Sequence, residues 1–194
     1  MSDPIVVAFD LSLTSTGVAD SNGTRRITPK TKGPERLAEI RDEVLEATHP
    51  DRPGEAVCST CWQRRSLVHL GDHPDLVVIE GYSYGSPNQA HPVGEMGGVV
   101  RLALWEAGLP FEVVTPSTIK QYATGKGNAS KDDVLLAAVR RLGYEGKSKD
   151  EADALWLYAL TMHALGAPIA TVPAAHLKAL KALTWANRIT TGAA

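Results

Sequence analysis

Leu76-Val77-Val78-Ile79 is an unbroken apolar run of β-type residues that ends in Glu80-Gly81. A strand without polar alternation has to be covered on both faces, as strands of a parallel or mixed sheet between helices are. The run therefore implies helices on both sides of it. It also leaves a carboxylate at the end of a buried strand, where burial is unfavourable unless a partner compensates it.

The rest of the chain supplies such a sheet. Residues 5–10 (Ile-Val-Val-Ala-Phe-Asp) read as a strand, Val18-Ala19 starts a returning strand, and residues 24–29 read as a third. Asn22-Gly23 between the last two is a type I′ turn signal. Leu37, Ile40, Val44 and Leu45 recur at helical spacing and predict a helix over 34–48. Further helices are expected over 93–107, 116–123, 130–142, 148–165 and 174–187, with a strand at 111–114. Thr115 reads as an N-cap before Pro116, and Ser148 with Glu151 as a capping box. A meander followed by strands alternating with helices gives the fold class: α/β, a mixed five-stranded sheet flanked by helices.

With 194 residues, 43% of them hydrophobic and 22% charged, the chain has the material for one compact domain. Residues 1–170 are expected to form it, with an insertion at about 49–74 and a helical extension over 171–194. No apolar run approaches the roughly 18 residues of a membrane span, and the first residues do not resemble a signal peptide. A soluble, cytoplasmic protein with no membrane partner is expected. Its two cysteines are then expected to stay reduced.

Ligands of open α/β sheets bind beyond the carboxyl ends of the strands. Asp10 ends the first strand and Glu80 the buried one, while Asp150 and Asp153 are three residues apart on one face of a late helix. Singly, Asp10 also reads as a turn residue and Asp150 as an acid serving the helix dipole. Asp153 is harder to explain that way, because it lies beyond the first turn among apolar neighbours. Four acids converging on one sheet edge repel one another unless cations hold them. All-oxygen ligation suits Mg²⁺ or Mn²⁺, and a pair of such ions is the usual apparatus of phosphodiester hydrolysis.

Three segments carry a family likeness: Phe9-Asp10-Leu-Ser-Leu-Thr-Ser-Thr-Gly17, Val78-Ile79-Glu80-Gly81, and Asp150-Glu-Ala-Asp153-Ala-Leu155. In order and spacing the chain resembles the RuvC-like Holliday junction resolvases of the RNase H-like superfamily, in particular bacteriophage-encoded ones. The resemblance spans most of residues 5–165. It implies a homodimeric, divalent-metal-dependent endonuclease that nicks two strands across a four-way junction in branched DNA, with Asp10, Glu80, Asp150 and Asp153 holding two ions. It places two lysines near the scissile phosphate, here Lys120 and Lys131; Lys126 reads equally as a solvated surface group. It also places a stacking aromatic shortly after the strand-end glutamate. That offset falls on Ser83, between Tyr82 and Tyr84, so either tyrosine is a candidate. Gly94, Gly97 and Gly98 in the next helix would let a second backbone approach, either a partner's or the sheet's.

Within the insertion, Cys58 and Cys61 followed by His69 and His73 give C-x2-C-x7-H-x3-H, with His49 nearby. The spacings suit a tetrahedral structural Zn²⁺, although the central gap is shorter than in ordinary fingers and the stretch around His69 also reads as plain helix. Trp105, Trp156 and Trp185 read as packing groups, and His163 as a histidine at the core edge.

Other functions on the same residues are a flap or replication-fork endonuclease, a phosphate-binding ATPase of the sugar-kinase and actin type, and a junction-binding domain that does not cut. The ATPase architecture needs two such domains and the chain has room for one. A domain that does not cut has no use for four clustered acids. The net charge of −2 argues at first against a nucleic-acid partner, but residues 1–114 carry 10 basic and 16 acidic side chains and residues 115–194 carry 10 and 6. Lys120, Lys126, Lys131, Arg140, Arg141, Lys147 and Lys149 all fall in the basic part, and the last four with Lys126 are the expected backbone contacts to DNA.

Overall fold

The computed structural model describes residues 3–48, 74–81 and 90–185. Strands β1 (Val6–Asp10), β2 (Thr16–Asp20) and β3 (Gly23–Ile27) form an antiparallel meander, and helix α1 (Gly33–Ala47) follows. Then come β4 (Leu76–Glu80), α2 (Ala90–Glu106), β5 (Phe111–Val114), α3 (Pro116–Thr124), α4 (Lys131–Leu142) and α5 (Lys149–Ala164). A 3-10 helix, His176–Ala182, closes the described chain. The strands lie in the order β3-β2-β1-β4-β5, with β4 parallel to both β1 and β5. This is the mixed five-stranded sheet expected from the sequence. No helix among the described residues is long and apolar enough to cross a membrane.

Strand periodicity divides the core in two. On one face, Val6, Ala8, Leu76 and Val78 pack with Ile119, Tyr122, Val134, Trp156 and Leu157 from α3, α4 and α5. On the other, Val7, Phe9, Val77 and Ile79 meet Ile40, Val44, Met96, Val100 and Leu104 from α1 and α2. Every residue of β1 and the first four of β4 are buried. The same alternation carries one step further to the strand ends: Asp10 follows Ala8 and Glu80 follows Val78 on the α5 face.

Helix α5 lies directly on β2. A Cβ built on Gly17 would fall 2.0 Å from the Asp150 carbonyl oxygen, so glycine is needed there for close approach of two backbones. Trp156, fully buried, donates its indole N–H to the Val134 carbonyl at 3.1 Å and fixes α5 against α4. Trp185 is also buried, as expected of a packing group, whereas Trp105 is 61% exposed. His163 meets the Tyr122 hydroxyl at 2.9 Å through Nδ1.

Local readings change in four places. The β2–β3 turn is not type I′: that geometry needs positive φ at both central residues, and among the described residues only glycines have it. Asp20 pairs with Gly23 across the turn, and Asp20 Oδ1 accepts the Asn22 N–H at 2.7 Å. Thr115 stands at the N-cap of α3, but its hydroxyl bonds the Ser117 and Thr118 hydroxyls instead of a backbone amide. The helix expected over 174–187 is a seven-residue 3-10 helix, sealed onto α3 by His176 Nδ1 against the Tyr122 carbonyl at 2.7 Å. Ser148 accepts the Glu151 N–H at 3.3 Å, but the Glu151 carboxylate does not return to the Ser148 amide, so the capping box is half formed. The insertion, with Cys58, Cys61, His69 and His73, lies outside the described residues, as do Tyr82 and Tyr84.

Gly17→Ala is expected to destabilise the fold by about 3 kcal/mol, because neither backbone can yield without parting α5 from the sheet. Urea unfolding checks this, and a change below about 0.5 kcal/mol would contradict it.

Candidate active site

The site is assembled by strand register. Phe9 pairs with Ile79 across the parallel β1–β4 ladder, so the next residues, Asp10 and Glu80, lie side by side on neighbouring strands. Adjacent strands are about 4.8 Å apart. The N-terminal part of α5 brings Asp153 over the pair, and one carboxylate oxygen from each of Asp10, Glu80 and Asp153 lies within 4.8 Å of the others. Asp150 sits one turn earlier, at the rim.

Lys131, the first residue of α4, binds three of the four acids through one ammonium. Its Nζ is 3.2 Å from Asp153 Oδ2, 3.3 Å from Asp150 Oδ1 and 3.7 Å from Asp10 Oδ2. The reason is visible one turn further along both helices: the Trp156–Val134 bond joins the residues three places after Asp153 and Lys131. The opening of α4 is fixed in turn by a complete capping box between Ser130 and Asp133.

Burial dominates the electrostatics. It pushes the Asp10 carboxyl up to about 7, against the attraction of Lys131. Glu80 is raised well above the ordinary glutamate value by burial and then by Asp10, and Asp153 is raised by burial against the pull of Lys131. Burial alone would lower the Lys131 ammonium, but Asp10, Asp153 and Asp150 outweigh it and raise it. Lys131 therefore stays a cation at any neutral pH.

Two carboxylate oxygens, Asp10 Oδ2 and Glu80 Oε2, are buried with no hydrogen-bond partner among the described residues. A shared proton lets the two groups bond each other, which is how a buried acid pair avoids carrying two charges. A cation relieves both oxygens at once. The donors are all oxygen and lie within reach of one ion, the set a hard divalent cation prefers.

The remaining residues singled out from the sequence are spread around this centre. Lys120 is half-buried on α3, and its charge is among those that oppose the rise at Asp153. Lys126 is exposed in the α3–α4 connection and Lys147 in the α4–α5 connection. Lys149 is ion-paired with Asp132 at 2.8 Å. Arg140 and Arg141 are not at the centre: they end α4, about 15 Å along its axis from Lys131. Sequence reasoning missed Glu151, whose carboxylate meets Arg26, Thr24 and Tyr144. Its position three residues after a serine pointed to a cap, and nothing local pointed to β3.

Residues 66–162 match the family described as crossover junction endodeoxyribonuclease RuvC. A protein of that name from Synechococcus sp. (strain WH7803) is 35% identical over 111 residues, 56% of this chain and 71% of the relative. One from Rhodococcus jostii (strain RHA1) is 32% identical over 157 residues, 78% of this chain and 77% of the relative. Among solved structures, Thermus thermophilus RuvC in complex with Holliday junction substrate aligns with TM-score 0.55 and 25% identity, over 79% of this chain and 90% of its own.

The raised carboxyls set a pH dependence in metal-free protein. An acid whose folded-state pKa exceeds its unfolded value binds a proton on folding, so stability falls as pH rises from about 4 through about 7. In EDTA at pH 8, Asp10→Asn is expected to raise stability by roughly 1–3 kcal/mol and Lys131→Met to lower it by a similar amount. For a chain of this size each kcal/mol moves the melting temperature by about 2–4 °C. Shifts of the same sign in both variants would contradict the account.

Proposed function

The chain belongs to the RuvC family of crossover junction endodeoxyribonucleases, and from that membership we propose how its residues divide the work. It is a metal-dependent endonuclease that resolves four-way DNA junctions by phosphodiester hydrolysis. The observation that carries the assignment of residues is the Asp10–Glu80 pair, set side by side by register beneath Asp153, with a buried oxygen on each that has no hydrogen-bond partner among the described residues.

In this reading Asp10, Glu80, Asp150 and Asp153 hold two Mg²⁺ or Mn²⁺ ions. When bound, the ions supply a water activated at neutral pH and a counter-charge for the leaving oxygen. The protein side of the chemistry is positional and electrostatic. Asp10 and Glu80 are fixed by the paired, largely buried strands β1 and β4, so they need no rearrangement to bind. Lys131 remains protonated and acts as a fixed positive charge beside the scissile phosphate; its raised pKa makes it unsuited to taking a proton. Lys131 and Asp150 lie in the first turns of α4 and α5, so two helix N-termini converge where the phosphate would sit, and both favour an anion. Lys120 adds a second ammonium from α3.

DNA is gripped around this centre. Lys126 and Lys147 flank the site in the two connections, with Lys149 beside them, and Arg140 and Arg141 at the far end of α4 reach backbone further along an arm. Tyr82 or Tyr84 stacks on an unpaired base, a contact worth roughly 1–3 kcal/mol. A homodimer places two such centres on the two strands that must be cut. Cys58, Cys61, His69 and His73 hold a structural Zn²⁺ in the insertion. The working location is the cytoplasm.

Cleavage of a mobile four-way junction, a flap and a linear duplex, with Mg²⁺ and with EDTA, tests the core of the reading. Paired metal-dependent nicks are expected on the junction, and Asp10→Asn is expected to reduce them more than about 100-fold while the junction is still bound. Equal cutting of linear duplex, or an active Asp10→Asn, would overturn it. Elemental analysis of the full chain should find one zinc per chain, absent from Cys58→Ser; zinc-free wild-type protein would remove that part.

A further inference from the structure

The first two turns of α5 supply two of the four acids, and Glu151, which lies between them in sequence, points away from them. Glu151 turns toward β3 and uses both carboxylate oxygens there. Oε1 accepts from Arg26 Nε at 3.1 Å, and Oε2 accepts from the Thr24 hydroxyl at 3.1 Å and the Tyr144 hydroxyl at 3.0 Å. The Tyr144 hydroxyl in turn accepts the Ser148 N–H at 3.2 Å, the amide a capping box would have bonded. On the neighbouring strand, Gly17 lets the Asp150 carbonyl come within backbone contact of β2. The opening of α5 is thus held by β2 from below, by β3 through Glu151, and by the α4–α5 connection through Tyr144.

A surface acid in a first helical turn is ordinarily explained by the helix dipole. That explanation covers the position of Glu151 but not its partners. A dipole needs no three donors, and exposed ion pairs contribute little. Here the Glu151 side chain is only 17% exposed, and all its interactions run to one strand and one connecting segment. The other two acids, Asp10 and Glu80, belong to the strands, so the spacing between the two halves of the site is the spacing between α5 and the sheet.

We propose that Glu151, clamped by Arg26, Thr24 and Tyr144, is a positioning residue that sets the distance of Asp150 and Asp153 from Asp10 and Glu80, and through it the affinity of the site for its divalent cation. The proposal rests on reading the four acids as cation ligands and adds the device that spaces them. Glu151→Gln keeps the shape of the side chain but replaces one acceptor oxygen with a donor facing donors.

Mn²⁺ binding to the full chain, measured by calorimetry and by the Mn²⁺ dependence of the melting temperature, tests it without reliance on turnover. Groups that orient ligands from outside typically alter metal affinity by 10–100-fold. Glu151→Gln is expected to weaken Mn²⁺ binding about 10-fold, and Tyr144→Phe, which removes one hydroxyl at constant shape, about 3-fold in the same direction. Junction binding in EDTA should stay within about 2-fold of wild type, since neither residue is among the proposed DNA contacts. A lower melting temperature in EDTA with Mn²⁺ affinity unchanged in both variants would show a purely structural tie and overturn the proposal. Wild-type protein that binds no Mn²⁺, or an Asp10→Asn variant that binds it as well as wild type, would instead overturn the reading of the acids, and this proposal with it.

Discussion

Two carboxylates at the ends of adjacent parallel strands repel each other, and much of what surrounds them answers that repulsion. Asp10 and Glu80 are placed by a ladder whose other members are apolar and buried, so neither can move away without breaking the centre of the sheet. Two adjacent charges about 5 Å apart in a protein interior interact by several kcal/mol even with generous screening. The fold has one means of offsetting this itself, the Lys131 ammonium, together with protonation of the pair. A third means, on the proposed reading, is a divalent cation, which would turn an electrostatic liability into a catalytic centre.

The position of Lys131 then depends on contacts with no charge at all. Its reach to Asp153 requires α4 and α5 to be in register, and the Trp156 indole bonded to the Val134 carbonyl supplies that register from inside the core. The capping box at Ser130 starts α4 at the residue that has to face the acids. The apolar core on the α5 face is in this sense part of the site. A change at Trp156 or Gly17 acts on the acids through helix placement, though neither residue carries a charge.

Legibility in the sequence followed the range of the interactions. Both strand-end acids could be found because an apolar run that stops at a carboxylate is a local pattern, and the Asp150–Asp153 spacing is a helical one. The sheet was legible for the same reason: strand and helix periods differ, and β4 and β5 stand out between helical stretches. What failed were features fixed by distant neighbours. The Asn22-Gly23 turn is the local exception, shaped by the Asp20–Gly23 pairing and by the Asp20 side chain two residues away. The C-terminal helix tightens to 3-10 because His176 is drawn onto the Tyr122 carbonyl. Glu151 gave a capping signal and serves β3 instead, 125 positions earlier at Arg26. No short-range rule identifies Tyr144 as the group that replaces the missing half of that cap.

The charge balance takes on a different meaning once these pairs are counted. Of the seven cations singled out among the ten in the basic part of the chain, Lys131 is committed to the acids and Lys149 to Asp132. Arg140 and Arg141 sit at the far end of α4. Of those singled out, that leaves Lys120, Lys126 and Lys147, few for a strong hold on arbitrary duplex, where affinity grows with the number of phosphates neutralised. On the proposed reading the local attraction for phosphate comes from fixed features instead: the N-termini of α4 and α5, the Lys131 ammonium held by three acids, and the cations the acids would hold. Such features act only on a phosphate delivered to one place. On the proposed reading, a chain of this charge distribution gains its selectivity from the shape that brings the strand to Asp10 and Glu80, and not from general attraction to DNA.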